Sequence, residues 1–150
     1  KDTEIEIDIY GEGSQKNSLI KYAKEQNIKL NINSPVSNDI LIKKIKDYKI
    51  FVSSSLFEGN PKSVLEAMSC GCVVVARENK NINEIIKDQN NGMTYNRMND
   101  LKNILLKFMH NEKDWANLST KAYDHVMKFN NLDKIASEEI SDYEILNLSD

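Results

Sequence analysis

The sequence has little of what would mark a disulfide-stapled, membrane-spanning or nucleic-acid-binding chain. Two cysteines stand among 150 residues, at Cys70 and Cys72. One residue apart, they are too close for an ordinary disulfide and too few for a zinc site, so they read as reduced, buried thiols rather than a redox pair. Five glycines and two prolines exclude a collagenous or low-complexity chain. No apolar run approaches the length that spans a bilayer, and no charged-then-apolar leader pattern stands at the start. A cytoplasmic protein without a transmembrane segment is therefore expected. The net charge of −3 gives no electrostatic case for nucleic acid, and the twenty Lys and Arg residues are scattered rather than blocked.

What is present is ordinary for a folded domain: 40% hydrophobic and 29% charged residues, with length enough for a core. Strand and helix patterns alternate. Ile5, Ile7 and Ile9 alternate with charges up to the turn at Gly11-Glu12-Gly13, and Ser14 can cap a helix carrying Leu19, Ile20, Tyr22 and Ala23. Ile28 to Ile32 reads as a second strand, ended by Ser34-Pro35. Asn38 or Asp39 opens a short helix, and Ile50-Phe51-Val52 suits a buried parallel strand. A helix follows from about Asn60 to Cys70, stopped by Gly71. Val73 to Ala76 is the next buried strand, Ile82 to Ile86 a short helix, and Met93 to Tyr95 a last strand. From Asn99 the pattern is helical, with breaks near Asn111 and Asn130-Asn131.

This order predicts an α/β fold, a Rossmann-like parallel sheet with flanking helices and a helical C-terminal tail. The expected division is a Rossmann-like domain over 1–98 and a helical extension over 99–150 that packs on it. Leu101, Ile104, Leu105 and Phe108 give that extension a packing face, and Trp115, Tyr123 and Phe129 have a spacing compatible with helix packing. His110 and His125 have no sequence partner for metal or triad chemistry and read as surface residues.

The chemistry concentrates in Glu58-Gly59-Asn60-Pro61-Lys62-Ser63-Val64-Leu65-Glu66. A strand, a loop and a helix N-terminus bind phosphate in parallel sheets, because free N–H groups and the helix dipole face the anion. Asn60 is a good N-cap, Pro61 a good first helical residue, and Gly59 permits close backbone approach. Periodicity sets Val64, Leu65, Ala67 and Met68 on one helix face and Glu66 opposite. Taken alone, that favours a solvated Glu66, and Glu58 is equally ordinary in a loop before a helix.

The run from Phe51 to Gly92 changes this weighting. Two glutamates with seven residues between them, then Ala67-Met68 and the Gly71 turn into an apolar strand, closely resemble the C-terminal, donor-binding domain of retaining glycosyltransferases of family 4. These have two Rossmann-like domains facing across a cleft, the GT-B type. The resemblance implies transfer of a sugar from a nucleoside diphosphate sugar, UDP- or GDP-linked, with retention and without a metal or other cofactor. It implies that Glu66 accepts from the ribose hydroxyls and that Glu58 contacts the donor sugar near the anomeric carbon. N–H groups around Asn60, Lys62 and Ser63 would hold the distal phosphate, Gly59 would let the backbone approach the ligand, and Pro35-Val36 would meet the nucleobase.

Three departures bear on a complete enzyme. The family's first strand, central in the sheet and carrying a basic pair, should precede Thr3. We therefore expect a fragment truncated at its N-terminus and inactive alone. The acceptor-binding N-terminal domain is also missing, and any peripheral contact with the inner face of the membrane is left to it. Finally, Lys80-Asn81-Ile82-Asn83-Glu84 stands where the family often has Gly-Gly-Ile-Pro-Glu. Other readings are a non-catalytic sugar-nucleotide-binding module or an epimerase of the same architecture, though the acid spacing and Ala-Met favour the transferase. A dinucleotide fingerprint at Gly11-Glu12-Gly13 fails because Lys16 holds the third glycine's place.

Overall fold

The computed structural model describes residues 5–130 together with Ser137 and Ile140; Asn131, expected at the last helical break, lies outside them. The chain divides into two compact units, Lys1–Lys43 and Lys44–Asp150. The boundary expected after residue 98 falls inside the second unit.

In the first unit, β1 (Glu6–Tyr10) pairs in parallel with β2 (Lys29–Asn33), joined by α1 (Lys16–Glu25). Alternation puts the acids on one face, where Glu6 accepts from Lys29 Nζ at 2.9 Å and Asn31 Nδ2 at 2.8 Å. The lysine and asparagine hydrogen bonds hold the Glu6 carboxyl below its usual pKa. Ser14 does not cap α1: Gln15 holds the N-cap place without a side-chain bond, and Ser18 Oγ donates back to its carbonyl at 2.7 Å. Asn27, at φ 53°, turns the chain out of the helix in the left-handed region that asparagine tolerates. Ala23 is the one described residue of this unit that is buried; Ile7 and Ile9 stay 41% and 38% exposed. The helix α2 (Asn38–Ile45) carries the chain across the division.

The second unit holds β3 (Ile50–Ser53), β4 (Val73–Arg77) and β5 (Met93–Tyr95), all parallel in the order β3-β4-β5. The connections run through α3 (Lys62–Ser69) and α4 (Lys80–Ile85). β4, in the middle, is fully buried from Val73 to Ala76. β3 is not the buried strand expected from its apolar run. It pairs only with β4 among the described residues, and Val52 is 42% exposed.

The helices α5 (Met98–His110) and α6 (Glu112–Phe129) close the unit, with Asn111 at the expected break. Leu101, Phe108 and Leu118 bury against Val73, Val75 and Tyr95, with Ile104, Leu105 and Trp115 half-buried around them. Trp115 meets Phe108 edge-on at 6.1 Å between ring centroids. Tyr123 and Phe129, expected to pack, are 45% and 57% exposed. Tyr123 lies off the inward stripe formed by Leu118, Ala122 and Val126, whereas Phe129 continues that stripe but is the last residue of α6. His125 is half-buried and tilts against Phe129, 5.0 Å between rings.

Cys72 is a core thiol, bonded to the carbonyls of Ile45 (3.4 Å) and Tyr48 (3.3 Å). Burial, helped by Cys70 nearby, pushes its pKa up to about 11. Both cysteines are free.

Candidate functional site

The C-terminal ends of adjacent parallel strands are where ligands meet an α/β sheet. At that edge of the second unit lie the loops from β3 to α3 and from β4 to α4. The first holds Glu58 to Pro61, and α3 carries Lys62, Ser63 and Glu66, so all of these site residues share one compact unit. Pro35 and Val36 lie between β2 and α2 in the other unit.

The loop's carbonyls are used up within the unit. Tyr95 Oη donates to the Ser53 carbonyl at 3.3 Å and Ser55 Oγ to that of Phe57 at 2.8 Å. Asn81 Nδ2 donates to the carbonyls of both Glu58 and Gly59, the latter at 2.7 Å. Lys62 N–H donates to the Asn60 carbonyl at 2.8 Å. Pro61, at φ −78° and ψ 59°, is the centre of this inverse γ-turn. For that reason α3 starts at Lys62, not at Pro61, and Asn60 makes no side-chain cap.

The N–H groups are distributed differently. Lys62 N–H is engaged in the γ-turn, while no acceptor pairs with the N–H of Gly59, Asn60 or Ser63 among the described residues. These three donors sit at the entrance to a helix, where the dipole adds to their attraction for an anion.

Glu66 departs from the solvated position that periodicity favours. Its side chain is only 17% exposed, although Val64, Ala67 and Met68 on the opposite stripe are the ones at zero. Lys62 Nζ, one helical turn back, stands 3.7 Å from its Oε1. Glu58 is half-buried in the loop. Leu56 and Phe57 beside it are 70% and 81% exposed.

The β4–α4 loop is where the sequence departs from Gly-Gly-Ile-Pro-Glu. Asn79 caps α4, its Oδ1 accepting from Ile82 N–H at 3.0 Å. The helix thus begins at Lys80, two residues earlier than its apolar pattern suggests. Asn81 was not singled out as a site residue by the sequence. A side-chain amide two positions into a short helix gives no local signal of a partner 22 or 23 residues away. Among the described residues no cluster of three or more His, Cys, Asp or Glu could hold a metal ion, and no helix is long and apolar enough to cross a membrane.

A parallel α/β unit with its polar loops gathered at the carboxyl edge defines a Rossmann-like domain of the GT-B kind. The sequence profile of the family described as Glycosyl transferases group 1 matches residues 1–125, and the chain belongs to that family. It is 30% identical over 131 residues to a poly(ribitol-phosphate) alpha-N-acetylglucosaminyltransferase of Staphylococcus aureus (strain COL), covering 85% of this chain and 27% of the relative. The crystal structure of TarM matches 93% of the chain and 29% of TarM, with a TM-score of 0.80 and 26% identity. Sucrose-phosphate synthase from Thermosynechococcus elongatus shares the fold at a TM-score of 0.82 and 17% identity, over 95% of this chain and 39% of its own. The chain thus spans under a third of the length of the curated relative.

Proposed function

We propose that the chain is the donor-binding part of a retaining glycosyltransferase of family 4, which transfers a sugar from a nucleoside diphosphate sugar to an acceptor. The observation that carries this reading is the β3–α3 loop. Its carbonyls are turned to partners inside the unit, and the Gly59, Asn60 and Ser63 N–H groups are left for an anion, with Glu58 and Glu66 on either side in the chain.

Each group has a role that suits its chemistry. The distal phosphate takes the free N–H donors and the Lys62 ammonium, and Glu66 accepts from the ribose hydroxyls. Glu58 accepts from the donor sugar near its anomeric carbon, and Pro35-Val36 meets the base. As the glycosidic bond breaks, negative charge grows on the diphosphate leaving group. Donors fixed in advance at the helix N-terminus stabilise that charge, so the transfer needs positioning and electrostatics rather than a metal. The donor is UDP- or GDP-linked. A TarM mutant of S. aureus, 26% identical to this chain with a TM-score of 0.81, was solved with UDP, which favours the former.

Transfer itself is assigned to a longer protein. The first unit buries only Ala23 among its described residues, with Ile7 and Ile9 open. A two-stranded sheet with so little burial is marginal by itself, which supports a further strand beside it. We place that protein in the cytoplasm.

The test is donor hydrolysis and transfer by the protein containing this chain, over a panel of UDP- and GDP-sugars, with nucleotide binding measured alongside. Glu66→Ala is expected to weaken UDP binding about tenfold, the effect of losing charge-assisted hydrogen bonds. Undiminished binding by the variant would refute the ribose assignment.

A further inference from the structure

We propose that Asn81 is a positioning residue for the donor's sugar, acting through the β3–α3 loop. The inference rests on the donor-binding reading of Glu58 and deepens it. A primary amide has two N–H donors on one nitrogen, and both of Asn81's are used on consecutive carbonyls, those of Glu58 and Gly59. The two bonds span 23 and 22 residues and join the first turn of α4 to the loop after β3.

This contact sets the loop more firmly than a single bond could. Two acceptors on successive peptide units, held by one planar group, fix the orientation of both units, the first being the Glu58–Gly59 peptide. That peptide carries the Gly59 N–H, one of the three unpaired donors at the helix entrance. The same peptide plane follows the Glu58 Cα, so its orientation also sets the direction of the Glu58 side chain. Asn81 is itself held by a firm base. The Asn79 cap fixes the start of α4, and the buried Ile82 next to Asn81 anchors the turn in the core.

A glycine at position 81 would leave both carbonyls to water and the loop free to rotate. Asparagine here offsets the loss of the glycine-rich turn by replacing backbone shape with a side-chain tether. The tether constrains the sugar end of the site, at Glu58, together with the distal-phosphate donor at Gly59, and leaves the ribose end, at Glu66 on α3, untouched.

The distinguishing experiment compares UDP with UDP-N-acetylglucosamine as probes, on the protein containing this chain, for wild type, Asn81→Asp and Asn81→Ala. Aspartate keeps the shape but sets an anionic acceptor against two carbonyls. Both variants should weaken UDP a few-fold, because the Gly59 and Asn60 donors on its distal phosphate are released, and weaken UDP-N-acetylglucosamine about tenfold more, because Glu58 is released as well, with Asp the worse. Amide hydrogen exchange at Lys62 and Val64, whose N–H groups bond the loop carbonyls of Asn60 and Pro61, should speed up in both, while that of Val74 and Val75 stays unchanged. Glu66→Ala is the internal contrast, expected to weaken both nucleotides alike. Equal losses for the two probes in the Asn81 variants, or loop exchange identical to wild type, would overturn the positioning role while leaving the donor reading standing. A wild-type protein that binds neither these two nucleotides nor GDP or a GDP-sugar overturns the donor reading and this inference with it.

Discussion

The Ser119 hydroxyl of α6 donates to the Gly71 carbonyl at 2.6 Å, across 48 residues of sequence. This bond ties the helical tail to the turn between α3 and β4, so the tail braces the element that carries Glu66. Gly71 itself sits at φ 82°, where L-residues are strained. Ser119→Ala should cost about 1 kcal/mol and Gly71→Ala a further ~1 kcal/mol, read from urea midpoints. Unchanged midpoints in both would show that the bond contributes nothing.

Asn91 should be the costlier loss. It is 2% exposed, accepts from Lys87 N–H at 2.7 Å and donates to the Ile85 carbonyl at 3.0 Å. Asn91→Ala strands both backbone groups where water has little access, so a loss of about 2–3 kcal/mol is expected. Asn91→Asp keeps the acceptor for Lys87 and should lose less, by the same denaturation measurement.

Gly92 is required by space rather than by its backbone angle. A Cβ there would lie 3.0 Å from Ile86 Cγ2 and 3.1 Å from the Val74 carbonyl oxygen. The carbonyl belongs to the central strand and cannot yield. Gly92→Ala is expected to lower stability by about 1–3 kcal/mol, visible as a fall in Tm.

The two cysteines should part in alkylation. With its thiol pushed up to about 11 and no exposed surface, Cys72 should label at pH 8 at least about a hundredfold more slowly than in denaturant, while half-buried Cys70 labels first. Because the folded value lies above 9.0, the neutral thiol's contribution is complete below pH 9.0. It is lost as pH rises through about 11. Peptide mapping after iodoacetamide treatment decides the order.

His125 gives the opposite slope on the acid side. Burial first, and then the Lys87 charge, lower its pKa from 6.5. Its contribution is therefore complete above pH 6.5 and falls as the pH drops through the lower folded value, because the unfolded imidazole takes its proton earlier. His125→Gln should flatten stability between pH 7 and 5, measured by urea denaturation. An unaltered slope would remove this assignment.

Much of this could be read before folding. Period-two alternation, short apolar runs and period-3.6 patterns located the five described strands and the connecting helices, and Gly71 marked the stop of α3, because these follow from local sterics and apolar spacing. The Glu58-to-Glu66 stretch was visible as a strand, loop and helix entrance for the same reason. Where the reading missed, a competing local contact had won. The γ-turn at Pro61 displaced the start of α3, the Asn79 cap moved α4 forward, and one-sided pairing left Val52 open.

What the tertiary structure alone decided is who shares a partner across the chain. The bracing of Gly71 by Ser119 and the hold of Asn81 on Glu58 and Gly59 join segments distant in sequence, and the 17% exposure of Glu66 departs from its helix's own pattern. Periodicity describes one element's faces, so it ranks residues by local pattern. Burial and hydrogen-bond partners depend on which other element arrives there, and only the folded sheet and its loops supply that.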